Sequence, residues 1–254
     1  MNPPPIPIFL PQPFAWCHIP AGDVKIRYGR WNYEDGAEYQ IERREHAYVP
    51  AFFMAKYPIT NAQYDVFIHD IDGYQNPIWW DFSDEAKAWR IQHPTSEASY
   101  VLGENMPRTR ISWHDCTAFC LWMSAKTGMT ITLPTEGQWQ RTSAGDDNRD
   151  YAWGNMWDKL RCNHDSAIIT PVTHYEGLGD SPFGCVDMCG NVWEWCINPH
   201  EDNTHIARGG SWFEDEPFWY TTHFRHPLDA NTLWNITGFR VCQIIDCNPH
   251  PNLS

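Results

Sequence analysis

Two histidines three residues apart, His223 and His226, with Asp229 close behind, are the residues of this chain best suited to chemistry. Two imidazoles and one carboxylate with open positions form the usual donor set of a non-haem iron site. The same residues also suit the polar part of a binding loop, and that reading is kept beside the first. They lie in a stretch that contains Trp212, Phe213, Glu214, Trp219, Tyr220, His223, Arg225, His226, Asp229, Asn231, Trp234 and Asn235. Aromatic rings interleaved with arginine, histidine and carboxylates make typical recognition surfaces. Trp212 and Trp234 are expected in the core, and His223 and Arg225 facing solvent. Other catalytic signatures fail. There is no Gly-x-Ser-x-Gly elbow, no phosphate-binding Gly-x-x-x-x-Gly-Lys loop and no His-Glu-x-x-His. Asp146, Asn148 and Asp150 begin like a calcium loop, but Tyr151 stands where its glycine is required and Trp157 at the twelfth position.

The elements that must position this segment are short. Val24 to Tyr28 alternates as a half-buried strand does, and Val49 to Tyr57 reads as a second strand stopped by Pro58. Thr60-Asn61-Ala62-Gln63 has the form of a capping box and opens a helix over 61–70. A second helix starts at Ser112, carries Ala118, Leu121, Trp122 and Ala125 on its apolar stripe, and ends before Gly128. Thr130 to Leu133 is a brief strand. Thr135 and Gln138 cap a third helix, and from residue 145 onward loops and short strands dominate.

The chain has 254 residues, with 18 basic against 32 acidic side chains, for a formal charge of −14. No stretch is rich in Lys or Arg, so a nucleic acid is excluded as the main partner. No segment approaches 18 uninterrupted apolar residues, so no membrane span is expected. The N-terminus has neither the basic nor the apolar region of a signal peptide. With nine cysteines, the simplest expectation is a cytoplasmic protein with mostly reduced, buried thiols. Six prolines in residues 1–13 predict an extended surface arm over 1–16. A single domain over 17–245 and a tail over 246–254 complete the expected organisation.

Several motifs occur in a fixed order: Val49-Pro50-Ala51-Phe52-Phe53-Met54, Pro58-Ile59-Thr60-Asn61, Ile111-Ser112-Trp113, Leu133-Pro134-Thr135-Glu136-Gly137-Gln138-Trp139, Tyr151-Ala152-Trp153-Gly154-Asn155, Gly190-Asn191-Val192-Trp193-Glu194-Trp195, Arg208-Gly209-Gly210-Ser211-Trp212 and Gly238-Phe239-Arg240. Together they resemble the formylglycine-generating enzyme (sulfatase-modifying factor) family, which also contains sulfoxide synthases and the variable proteins of diversity-generating retroelements. The resemblance implies an α+β fold, a decorated variant of the C-type lectin fold with short strands and helices and much ordered loop.

Enzymes of this family bind copper through two cysteines after the Gly-Gly-Ser motif. The matching positions here are Glu214 and Trp219, which offer no thiolate for Cu(I); no copper is expected. Sulfoxide synthases bind iron with histidines of an additional helical domain, which has no counterpart before residue 17. The resemblance also implies a structural calcium held by Asp187, the carbonyls of Gly190 and Val192, and Glu194, an all-oxygen set that suits a hard cation. The expectation is therefore a non-catalytic domain that binds a protein or small-molecule ligand on the 212–235 surface through Phe213, Glu214, Trp219, Tyr220, His223, Arg225, His226, Asp229, Asn231 and Asn235. A retroelement variable protein is a specific version of it. The alternative is a metal-dependent oxygenase or oxidase built on His223 and His226.

Overall fold

The computed structural model describes residues 3–32, 38–200 and 204–245; the expected tail over 246–254 lies outside the described residues. The alternating residues Val24 and Ile26 sit in a long antiparallel hairpin, β1 being Trp16–Ile19 and the hairpin strands β2 (Gly22–Asn32) and β3 (Glu38–Val49). Pro50 separates β3 from β4 (Phe52–Ala55), so the expected strand over 49–57 is shorter than its apolar run.

Two four-stranded sheets form the rest of the β structure. One has the order β1-β4-β10-β5, where β5 is Ile131–Thr132 and β10 is Cys242–Ile244. Its centre thus joins the beginning and the end of the described chain, with Met54 opposite both Cys17 and Cys242. The other has the order β8-β7-β6-β9. Here β6 is Trp193–Pro199, β7 Thr204–Arg208, β8 His226–Asp229 and β9 Thr237–Gly238.

Three helices form where the capping signals place them. Helix α1 (Asn61–His69) has a reciprocal capping box between Thr60 and Gln63. Helix α3 (Trp113–Thr127) is capped by Ser112 and Asp115 and ends at Gly128, whose φ of 69° is left-handed. Helix α4 (Glu136–Ala144) is capped by Thr135 and Gln138. A further helix, α2 (Asp84–Gln92), has Ser83 as N-cap, two acidic residues in its first turn, and Ala86 and Trp89 buried. Its apolar positions are too few to stand out by periodicity.

The main core joins α1 and α3 to both sheets through Tyr64, Phe67, Phe119, Trp122, Trp193, Trp195 and Phe239. The proline-rich N-terminus leaves Ile6 and Ile8 exposed and is anchored to the body further along. Leu10 and Phe14 are buried in that core, and Gln63 Nε2 donates to the carbonyls of Pro11 and Pro13. Eight cysteines are described; all are free thiols and all but Cys17 are buried. Among the described residues no helix is long and apolar enough to cross a membrane.

Candidate functional site

The Trp193-Glu194-Trp195 strand and the Gly-Gly-Ser turn build the site together. Residues 145–192 contain turns and an isolated bridge but no strand or helix, so side chains must satisfy much of their backbone. Asn191 does so at the centre. Its Nδ2 donates to Thr170 O and Asp187 Oδ2, and its Oδ1 accepts from Asn163 Nδ2 and the Thr170 amide. The following strand β6 then carries three indoles or carboxylates into the interior: Trp193, Glu194 and Trp195 are all buried.

Glu194 is committed to an ion pair. Its Oε1 accepts from Arg240 Nη2 at 2.5 Å, and its Oε2 accepts from Arg240 Nε and Trp139 Nε1, both at 2.7 Å. Arg240 also donates to the carbonyls of Ala55, Lys56 and Val186, and so ties Gly238-Phe239-Arg240 to the central strand β4 and to the Trp motif. The carboxylate that the expected calcium shell would use is thus paired with Arg240. Asp187 retains a buried Oδ1 without a hydrogen-bond partner, as a cation ligand would. Glu194, however, faces a guanidinium that already balances its charge, and the Gly190 carbonyl accepts the Val192 amide at 3.0 Å. Burial pushes the Asp187 carboxyl up to about 7, against the opposing effects of Asn191 and Arg240.

The Gly-Gly-Ser turn leads into the cleft wall. Gly210 has φ 77°, and a Cβ there would lie 2.6 Å from Tyr220 Cδ1, so both conformation and space require glycine. Glu214 folds back over this turn. Its Oε2 accepts from the Ser211 amide at 2.8 Å and from Ser211 Oγ at 2.5 Å; its Oε1 accepts from Trp193 Nε1 at 2.8 Å. All three donors are neutral. Trp219, in a 3₁₀ turn over Pro217–Tyr220, packs its ring against Phe218 and Phe224 at centroid distances of 4.5 and 4.9 Å.

These residues open onto a cleft of about 540 Å³ lined by Asp165, Phe213, Glu214, Asp215, Trp219, His226, Trp234 and Ile236. Four of the ten residues expected at the binding surface therefore line it: Phe213, Glu214, Trp219 and His226. His226 stacks on Trp193 at 5.0 Å, and burial depresses its pKa to about 4, so the imidazole is neutral at neutral pH.

Several expectations are corrected. Tyr220 is fully buried and its hydroxyl donates to the carbonyls of Ser211 and Glu214; it supports the wall from behind. Arg225 does not face solvent. It is buried and donates through Nε and Nη2 to Glu136 at 2.5 and 2.7 Å. His223 is half-buried, with Nδ1 3.9 Å from Asp150, and does not line the cleft. Asp229 accepts from the Asn231 amide at the end of β8, and Asp229, Asn231 and Asn235 are exposed outside the cleft. His223, His226 and Asp229 thus do not converge. Among the described residues no group of three His, Cys, Asp or Glu side chains is arranged to hold a metal ion. Trp212 is buried as expected, beside Ile169 and Val192, whereas Trp234 is 45% exposed and belongs to the cleft. Asp165, Asp215 and Ile236 were missed; Asp215 and Ile236 had membership of the same segment as their only signal, and Asp165 comes from another loop.

Residues 14–245 match the sulfatase-modifying factor enzyme 1-like domain, and the chain belongs to that family. It is 28% identical over 158 residues to a bovine (Bos taurus) protein described as inactive Cα-formylglycine-generating enzyme 2, covering 55% of this chain and 49% of the relative. The fold is shared with PvdO from Pseudomonas aeruginosa, at a TM-score of 0.67 and 17% identity over 91% of this chain and 94% of that one. It is shared equally with variable protein 1 of Treponema denticola, at a TM-score of 0.66 and 16% identity over 91% and 95%. These likenesses define the α+β, C-type-lectin-like scaffold of formylglycine-generating enzymes. The chain spans about a third of the length of several curated relatives that it matches.

Proposed function

We propose that the chain is a ligand-binding domain that does no redox chemistry in its cleft. The observation that carries this reading is the side-chain inventory of the wall. The positions where family enzymes resemble one another in copper-binding cysteines hold Glu214 and Trp219. Glu214 spends both oxygens on Ser211 and Trp193, and an indole offers no donor pair to a soft metal. The described thiols are not substitutes: none lines the cleft, and burial raises Cys116, Cys120, Cys162, Cys185, Cys189, Cys196 and Cys242 above the ordinary thiol range. What the cleft does offer is aromatic surface with carboxylates, held by a wall of interlocked hydrogen bonds. Such a wall needs little reorganisation to bind. A relative whose printed name describes it as inactive is consistent with a family scaffold that persists without the oxidase activity.

The test is oxygen consumption by the full chain, incubated with copper and a cysteine-containing peptide. The reading predicts uptake at the rate of copper and peptide alone. Catalytic uptake that follows protein concentration, with the peptide cysteine converted to an aldehyde, overturns it.

A further inference from the structure

We propose that the cleft takes an organic cation, an ammonium group on a short apolar stem; the inference rests on the cleft being the ligand site proposed above. Three aromatic rings, Phe213, Trp219 and Trp234, line it, and two of them stay exposed: Phe213 by 67% and Trp234 by 45%. Three carboxylates, Asp165, Glu214 and Asp215, line the same space, and no Lys or Arg does. Among the described residues none of the three takes a Lys or Arg partner elsewhere. This sets the cleft apart from the interior, where Glu136 and Glu194 are both balanced by arginine.

The hydrogen bonds on Glu214 come from an indole N–H, an amide and a hydroxyl. They fix the carboxylate at the cleft wall and, being neutral donors, do not cancel its formal charge. His226, which could have supplied a positive charge, is held neutral by burial. Like charges in a partly enclosed space disfavour one another, and a bound cation relieves that repulsion. The rings add attraction of their own, because the face of an indole or phenyl ring is electronegative.

Other ligand classes fit less well. An anion meets three carboxylates. A neutral apolar group would desolvate those carboxylates with nothing to pair them. A sugar presents hydroxyls that both donate and accept, whereas the lining side chains include no amide, hydroxyl or guanidinium. The shared chemistry of the ligand, an ammonium on an apolar stem, occurs in free alkylammonium compounds and in lysine side chains. The volume of about 540 Å³ and the open mouth suit either.

The experiment is calorimetric titration of the full chain with four probes: benzyltrimethylammonium, a short lysine-containing peptide, the uncharged carbon isostere of the first, and N-acetylglucosamine. A saturable signal from one or both cations, absent with the isostere and the sugar, is the expected result. Binding of the first alone identifies a free ammonium compound; binding of the second alone identifies a peptide. The cation affinity falls about tenfold in Trp234→Ala, which loses a cation–π face at a partly exposed position. It falls by a similar factor in Asp165→Asn/Asp215→Asn, and on raising the salt from about 0.01 M to about 1 M. Neither variant removes a donor to the Glu214 carboxylate, whose partners are Ser211 and Trp193.

Equal binding of the isostere, preference for the sugar, or no response to either cation up to about 10 mM, where binding would be worth less than about 3 kcal/mol, overturns the cationic ligand. The first two outcomes leave the binding-domain reading standing with another ligand class. Catalytic oxygen uptake would remove that reading itself.

Discussion

Arginine, glutamate and tryptophan do at residue scale what regular hydrogen bonding does elsewhere in a protein. Trp139 reaches Glu194, Trp193 reaches Glu214, Trp113 reaches Cys196 O and Trp195 reaches Ile111 O, each through its indole N–H. Trp193 and Trp195 tie β6 to the loops at Glu214 and Ile111, and Trp139 and Trp113 tie helices α4 and α3 to β6. Arg225 and Arg208 converge on Glu136 in the same way, with Arg208 Nη2 3.1 Å from the carboxylate. Burial alone would raise the Glu136 carboxyl, but the two guanidinia hold it below the usual range. Removing one partner of such a buried pair leaves an unbalanced charge, so Glu136→Gln should lower the unfolding free energy by about 3 kcal/mol or more. Urea denaturation reads this directly, and a loss under about 1 kcal/mol would mean that the pair contributes little beyond a surface ion pair. The Glu194–Arg240 pair leads to a second expectation. Because Glu194 is already balanced, millimolar calcium should leave the melting temperature unchanged, as read by calorimetry after chelator treatment. A rise of several degrees would contradict this, by the mass-action stabilisation of a ligand that binds only the native state.

Some residues conceal their surroundings in the sequence. Arg225 looks like a surface residue because its partner Glu136 lies 89 positions away. Tyr220 and Trp234 are both aromatic residues of one segment, yet one is fully buried and the other half exposed. No local pattern separates them; Tyr220 packs against Gly210 and donates to Ser211 O, whereas Trp234 lies beside His226 at the cleft.

At the scale of elements, more was legible. Capping boxes are local by nature, since their four residues need only one another, and those of α1 and α4 occur where Thr60-x-x-Gln63 and Thr135-x-x-Gln138 place them. Helix α2 was not anticipated. Its N-cap, Ser83, has acidic residues behind it, but only Ala86 and Trp89 of its nine residues are buried. Helix α4 matters most to the site, because its first turn holds Glu136 and its second Trp139. Thr135→Ala should therefore cost about 1 kcal/mol, the usual loss for an N-cap. Thr135→Ser should restore it, because the serine hydroxyl can accept the Gln138 amide that Thr135 accepts at 3.1 Å. Equal losses in both variants would assign the effect to the threonine methyl group.

For the whole molecule, the resemblance of eight ordered motifs specified the α+β scaffold, and the family match over residues 14–245 bears it out. Seven of the eight residues that line the cleft lie between Ser211 and Gly238, and its full membership could not be read locally, since pockets depend on loops that meet only after folding. Asp165 joins the cleft from another loop, its amide donating to Glu214 O at 2.8 Å. The packed interior also makes stability depend on acid. His205, stacked on Trp113 at 3.7 Å, and His226 are both depressed by burial from 6.5 to about 4. Between those values the unfolded chain binds more protons than the folded one, so their contribution is complete above pH 6.5 and is lost as the pH falls towards 4. Asp187, raised to about 7, acts in the opposite direction over much of that range. Replacing His226 with Phe should flatten the decline of melting temperature on the acid side. An unchanged slope in both His226→Phe and His205→Phe would refute this source of acid sensitivity.

The most direct measurement is a copper(I) titration of the purified chain against a colorimetric chelator under reducing, oxygen-free conditions. A wall of carboxylate and indole in place of two thiolates predicts that the chelator keeps the metal and that no stoichiometric protein complex forms. One tightly held copper(I) per chain, lost when Glu214 or Trp219 is replaced, would contradict the account.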